Sequence, residues 1–143
     1  MAAIDQTMVS NILNATTPTG TSGAPGTFSA VGGTAMKVRL NSTASTASAA
    51  GTEIASGGGY TTGGTAVSAA STASSAGSAV TLPKTTALSW TNSSGGAWSI
   101  VSMDLTSSAG TRCWFGNFTG QPISVANGNT FQIAADAVSV SLT

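Results

Sequence analysis

The chain has 143 residues, a length that suits one domain of ordinary size. Ser, Thr, Ala and Gly supply 87 of these residues, and four Lys or Arg residues balance four Asp or Glu residues to a formal net charge of zero. Only 6% of the residues are charged, against about 25% in a typical domain. Because binding to polyanions and acidic membrane surfaces needs clustered cations, we expect neither nucleic acid nor membrane as a partner.

The residue types that most enzymes need are scarce. The chain has no His, the commonest general base and zinc ligand, and its one Cys, Cys113, can form neither an internal disulfide nor a thiolate cluster. Cys113 lies in an apolar stretch, where a small buried side chain is expected rather than a reactive thiol. Asp104 and Asp136 suit turns better than a glycosidase carboxylate pair. We therefore expect no enzyme activity, no metal site and no cofactor.

The apolar content indicates a folded chain with a thin core. Leu, Ile, Val and Phe total 25 of 143 residues, and such a domain gains stability when it buries surface against neighbours. The first residues lack the basic and apolar segments of a signal peptide. No window approaches the ~18 apolar residues of a membrane helix. We expect synthesis in a cytoplasm without an export signal.

The N-terminal third divides into an arm and the start of a β domain. Residues 3–14 carry apolar side chains at helical spacing, which predicts a short amphipathic helix. This helix either packs on its own domain or binds a partner chain. The apolar side chains are Ile4, Met8, Val9, Ile12 and Leu13. Residues 16–33 form a loop rich in Pro, Gly and Thr, with Phe28 and Val31 as its only apolar anchors. We therefore expect an arm over residues 1–33 and a β domain over residues 34–143.

The segment from Ala35 to Leu40 alternates apolar residues with Lys37 and Arg39, which predicts a half-buried strand. Two cations on the outward side indicate a solvated or edge strand, or a contact with an acidic partner surface. Residues 41–79 are almost wholly Ser, Thr, Ala and Gly. Within them, the triple glycine at 57–59 lacks the spacing of a nucleotide loop and is expected to let Tyr60 enter a strand or turn a corner.

From residue 79 onward, short apolar alternations are separated by turns. The stretch 98–105 predicts a long strand that is buried on both faces or kinked by a bulge, and Asn127–Gly128 predicts a hairpin turn. The aromatic residues form either the core or a sugar-stacking platform. These patterns predict an all-β fold, a β-sandwich or jelly-roll-like domain with about seven or eight strands and one short N-terminal α-helix. The predicted strand segments are 80–82, 88–90, 98–105, 111–118, 123–125, 131–135 and 138–142.

The order of motifs resembles that of small structural proteins of tailed bacteriophages, known as head decoration (cement) proteins or tail-fibre-like proteins. The resemblance covers most of the chain and is densest over residues 79–143. The matching motifs are Gly57-Gly58-Gly59-Tyr60, Leu82-Pro83, Leu88-Ser89-Trp90, Val101-Ser102-Met103-Asp104, Cys113-Trp114-Phe115-Gly116, Pro122-Ile123-Ser124-Val125, Asn127-Gly128-Asn129-Thr130-Phe131 and Val138-Ser139-Val140-Ser141-Leu142.

The resemblance implies a virion structural protein without catalysis. The leading expectation is a capsid decoration protein on the phage head surface, which binds the major capsid protein lattice and itself, as a homotrimer. The alternative is a receptor- or glycan-binding module of the tail, in which Trp98 and Trp114 face solvent. The expected contacting parts are the arm, the stretch 41–79 and the following individual residues: Ile4, Met8, Ile12, Leu13, Phe28, Lys37 and Arg39.

Overall fold

A computed structural model describes residues 3–4, 36–67, 79–82, 86–135 and 137–141. These residues form eleven strands and no helix, which confirms the all-β prediction. The strands outnumber the expected seven or eight because they are short and one predicted long strand is divided. They are β1 (Ala3–Ile4), β2 (Met36–Asn41), β3 (Thr65–Val67), β4 (Ala79–Leu82), β5 (Leu88–Thr91), β6 (Trp98–Ile100), β7 (Ser102–Thr106), β8 (Arg112–Asn117), β9 (Ile123–Val125), β10 (Thr130–Ile133) and β11 (Val138–Ser141).

The largest sheet has five antiparallel strands in the order β1-β8-β7-β2-β3. Strands β7 and β8 form a hairpin through the turn at 107–110, which Gly110 completes at a φ of 91°. Strand β2 follows the expected alternation, since Val38 and Leu40 are buried while Lys37 and Arg39 are half-buried. Because β3 pairs with its other side, β2 is an inner strand, and the expectation of an edge strand was wrong.

The predicted long strand at 98–105 is divided at Val101. The Val101 N–H donates to Asn41 O at 2.8 Å, and Val101 O accepts the Phe118 N–H at 3.0 Å. These bonds turn the chain from β6, which pairs with β9, into β7 of the large sheet. Every residue of β7 is buried, and its register with β8 shifts between Leu105 and Thr106. Burial on both faces and an irregularity are thus both present.

Three two-stranded sheets accompany the large one: β5 with β10, β4 with β11, and β6 with β9. The buried core joins the large sheet to the β5–β10 and β6–β9 pairs, which gives the domain its sandwich-like character; its members are Val38, Leu40, Ile54, Tyr60, Val67, Trp90, Trp98, Ile100, Met103, Leu105, Val125 and Ile133. Tyr60 lies between two Trp rings, with centroids 6.3 Å from Trp90 and 6.2 Å from Trp98 in edge-on contact. Such pairs add about 0.5–1.5 kcal/mol each beyond the area that they bury.

The triple glycine turns a corner, as predicted. Gly57 and Tyr60 exchange backbone hydrogen bonds of 3.1 and 3.3 Å, and the Gly59 N–H donates to Thr91 O at 3.0 Å. Gly58 has a φ of 64°, in the left-handed region that favours Gly. The turn therefore lies against the end of β5 and delivers the Tyr60 ring into the core.

The Asn127–Gly128 turn exists, but the hairpin predicted around it was wrong. Strand β9 pairs with β6, and β10 pairs with β5, so the two strands diverge. The reason is Asn92, which is 0% exposed. Its N–H donates to Asn129 O at 2.8 Å, its carbonyl accepts the Gly128 N–H at 2.7 Å, and its Nδ2 donates to Val125 O at 2.8 Å. Asn92 thus occupies the positions at which β9 and β10 would meet.

At the N-terminus, Ala3 and Ile4 are extended in β1 and pair with Phe115 and Trp114, where the helix was predicted to begin. Two residues that gain backbone bonds on a sheet edge satisfy their polar groups without a helical turn. Residues 5–14 of the predicted helix lie outside the described residues.

Candidate partner-binding surface

The structure describes three of the seven expected contact residues and does not gather these three into one patch. Met8, Ile12, Leu13 and Phe28 lie outside the described residues. Among the other three, Ile4 sits in β1, whereas Lys37 and Arg39 sit in β2, with β8 and β7 between them. Ile4 is therefore separated from Lys37 and Arg39 by two strands of the sheet.

Arg39 serves the interior of the domain. Its Nη2 donates to Asp104 Oδ2 at 2.6 Å, and the side chains are 20% and 0% exposed. Asp104 stands in the middle of β7, so the expectation of a turn-forming Asp was wrong, as was that of a solvated Arg39. A carboxylate without water needs a cation and further donors, and the neighbouring strand supplies Arg39 at the same register position.

Ser45 provides the second donor and joins the low-complexity segment to this ion pair. Its Oγ donates to Asp104 Oδ1 at 2.8 Å and accepts the Gly51 N–H at 2.9 Å. Asn41 Nδ2 donates to Ser45 Oγ at 3.2 Å, and Ser102 Oγ lies 3.1 Å from Ser45 Oγ. Ser45, Asn41 and Ser102 are at most 2% exposed. We call Arg39, Asn41, Ser45, Ser102 and Asp104 the polar network.

Two side chains of β8 hold the segment against the sheet from the other side. Asn117 accepts the Ser45 N–H at 3.0 Å through Oδ1 and donates to Ser45 O at 3.1 Å through Nδ2. The guanidinium of Arg112 donates to Ala49 O at 2.6 Å and to Ala47 O at 3.1 Å, and its carbon lies 5.2 Å from the centroid of the Phe115 ring. The backbone of the segment is therefore held at Ser45, Ala47 and Ala49.

Residues 43–50, which we call the Ser/Ala loop, form the outer surface above the polar network. All of them except Ser45 are exposed, and their side chains are Ala, Ser and Thr. Short side chains lose little rotamer freedom on contact, and a backbone that is already fixed loses little more. The loop is therefore an exposed, uncharged surface whose backbone is already ordered.

The aromatic residues belong mainly to the core. Trp90 and Trp98 are 1% and 5% exposed, and Trp114 and Phe118 are partly buried against the core. The expectation attached to the glycan-binding alternative, that Trp98 faces solvent, was wrong. Phe115 is half-buried beside Arg112. Cys113 is fully buried, as expected.

Sequence patterns missed the roles of Ser45, Asn117 and Arg112, because the hydrogen bonds that define these roles span 59 to 72 residues. Asp104 offered a signal, since a carboxylate inside a buried strand requires a cation partner. Among the described residues, no group of three or more His, Cys, Asp or Glu side chains could hold a metal ion. In the same part of the chain, no helix has the length and apolar character needed to cross a membrane.

Comparison with known proteins adds no relative: no protein-family model, no curated protein and no solved structure matches the chain.

Proposed function

We propose that this protein is a structural protein of a tailed-phage virion that decorates the head by binding the lattice of the major capsid protein. The observation that carries the proposal is the Ser/Ala loop, an exposed, uncharged surface whose backbone is fixed by Ser45, Asn117 and Arg112. The resemblance of the motif order to decoration proteins supports the same assignment.

A decoration protein does not need strong individual contacts. Many copies on a symmetric shell bind multivalently, so a small neutral surface on each copy holds firmly when neighbouring copies also engage. A homotrimer at a three-fold position of the lattice meets this requirement. The chain would be made in the host cytoplasm and would reach the virion during assembly.

The first test is the copy number of the protein per virion, measured by quantitative mass spectrometry against the major capsid protein. Hundreds of copies in a fixed ratio to the capsid protein support the proposal. A few to a few tens of copies support the tail alternative instead. Absence from purified particles refutes both.

A second test locates the contact surface on capsids that lack this protein. Ala47→Lys places a long charged side chain on the Ser/Ala loop, and Ala126→Lys makes the same change at an exposed position in another turn. We expect co-sedimentation to be lost for Ala47→Lys and retained for Ala126→Lys, with equal thermal stability. Deletion of residues 2–15 should also abolish binding and leave the β domain folded, since β1 contributes only two residues to the sheet. If the Ala47→Lys variant and the deletion variant both bound like the wild type, the assigned surface would be refuted.

The tail alternative draws on one observation, the half-buried position of Trp114 and Phe115 on β8. In that case, glycan-array binding should be lost in Phe115→Ala and Trp114→Ala variants that remain folded. A protein that binds no glycan on the array speaks against this alternative.

A further inference from the structure

Asn127–Gly128 is the one Asn-Gly pair in the chain. Both residues are exposed, in the turn between β9 and β10. Asn followed by Gly is the dipeptide most open to spontaneous deamidation, because Gly has no side chain to hinder the approach of its own backbone nitrogen to the Asn side chain. The sequence alone therefore marks this turn as chemically labile.

The reaction needs only water. The Gly128 nitrogen attacks Cγ of Asn127, the new N–Cγ bond closes a five-membered succinimide, and the Cγ–Nδ2 bond breaks, with the Gly128 amide proton leaving in ammonia. Water then opens the ring at either carbonyl. One opening gives Asp, and the other gives isoaspartate, whose backbone carries one additional methylene.

The fold restrains both reacting groups. The Gly128 N–H donates to Asn92 O at 2.7 Å, so the attacking nitrogen is engaged. Oδ1 of Asn127 accepts the Gly95 N–H at 3.0 Å, so the side chain is held as well. The Asn129 N–H donates to Ala126 O at 3.0 Å and closes the turn.

The anchor of the turn is itself immobilised. Asn92 is fully buried, its Nδ2 donates to Gly96 O and Val125 O at 2.8 Å each, and its Oδ1 accepts from Ser94 Oγ at 2.7 Å. Release of the Gly128 nitrogen therefore requires the turn to separate from Asn92, which is a local unfolding event.

We propose that Asn127 is a deamidation site whose reactivity is controlled by the fold. The site is closed while Asn92 holds the turn and opens when the turn detaches or the domain unfolds. The Asp product keeps an acceptor for the Gly95 N–H and can refold. The isoaspartate product cannot, because its longer backbone separates the hydrogen bonds that Asn92 makes to residues 128 and 129. Deamidated protein thus accumulates when the turn opens or the domain unfolds, and the molecules that carry isoaspartate do not refold.

The experiment compares the rate at Asn127 in the native full-length chain with the rate in urea at the same pH and temperature. Peptide mass spectrometry measures the products, and isoelectric focusing detects the negative charge gained by a chain of zero formal net charge. We expect the native rate to be at least about tenfold lower than the rate in urea, because the Gly128–Asn92 and Gly95–Asn127 hydrogen bonds must open first. Equal rates in the two states would overturn the proposal.

Two variants test the parts of the mechanism. Ser94→Ala removes the Oγ hydrogen bond to Asn92 Oδ1 while keeping Cβ, and it should raise the native rate with no effect in urea. An unchanged native rate would contradict the role assigned to this bond in holding the turn. Asn127→Asp should refold like the wild type, whereas isolated isoaspartyl protein should not. Equal refolding of the isoaspartyl protein would refute the claim of irreversibility.

Discussion

The turn at residues 57–60 allows a sharp test of the packing, because alanine substitutions at four glycines separate backbone strain from steric overlap. Alanine at Gly58 would have both, since φ is +64° and its Cβ would overlap the Thr91 carbonyl oxygen. Alanine at Gly63 would have only the backbone strain, with a φ of +96° and nothing within 4 Å. Alanine at Gly57 would have only the overlap, at 2.7 Å from Ser94 Cβ. Alanine at Gly96 would have neither.

The expected costs follow from these geometries. Left-handed backbone costs Ala about 1 kcal/mol relative to Gly. Overlap with backbone adds about 1–3 kcal/mol, because the Thr91 carbonyl also accepts the Gly59 N–H and cannot withdraw without loss of that bond. Gly58→Ala should therefore lose about 2–4 kcal/mol in total. Gly96→Ala should be neutral or stabilising by about 0.4–1 kcal/mol, since Ala restricts the unfolded chain.

The assay is urea unfolding of all four single variants, with thermal midpoints as a second readout at about 3 °C per kcal/mol for a domain of this size. The expected order of stability is Gly96→Ala, then Gly63→Ala and Gly57→Ala, then Gly58→Ala. If Gly58→Ala were no less stable than Gly63→Ala, the close approach of the turn to β5 would be incorrect. Tyr60 would then lack the support that the turn is inferred to give it.

Two further predictions concern buried polar groups. Asp104→Leu should cost about 2–4 kcal/mol in urea unfolding, because it leaves the guanidinium of Arg39 without its carboxylate partner. The double variant with Arg39→Met should recover at least half of this loss. A double variant no more stable than Asp104→Leu would contradict the ion pair. Burial, and then the hydrogen bond to Glu53, raise the pKa of the Tyr60 hydroxyl above its usual value of 10.0. The folded chain therefore keeps a proton that the unfolded chain releases, so stability should be full below about pH 10 and fall as pH rises beyond it. Tyr60→Phe should lose about 1–3 kcal/mol at neutral pH, since the Leu40 N–H loses its acceptor, and should show a flatter alkaline decline; an unchanged decline would assign it to another group.

Local pattern by itself determined the class of the fold and the position of most strands. Alternation requires only that successive side chains of a strand point to opposite faces, so it was sufficient to place β2, β4, β5 and the strands from β9 onward, whereas β6 and β7 were predicted as one strand. Steric demands of Gly were sufficient to place the corner before Tyr60 and the turn at Asn127–Gly128. Nothing in those patterns depends on what lies across the sheet.

Tertiary structure alone decided which strands pair and what the low-complexity segment does. Strands β9 and β10 diverge because Asn92, more than 30 residues upstream, takes the hydrogen bonds that a hairpin would use. The Ser/Ala loop is fixed because Asp104 needs a second donor and Ser45 supplies it from 59 residues away. Such contacts are set by the need to satisfy every buried polar group at once. That requirement acts between residues distant in the chain and leaves no period in the sequence.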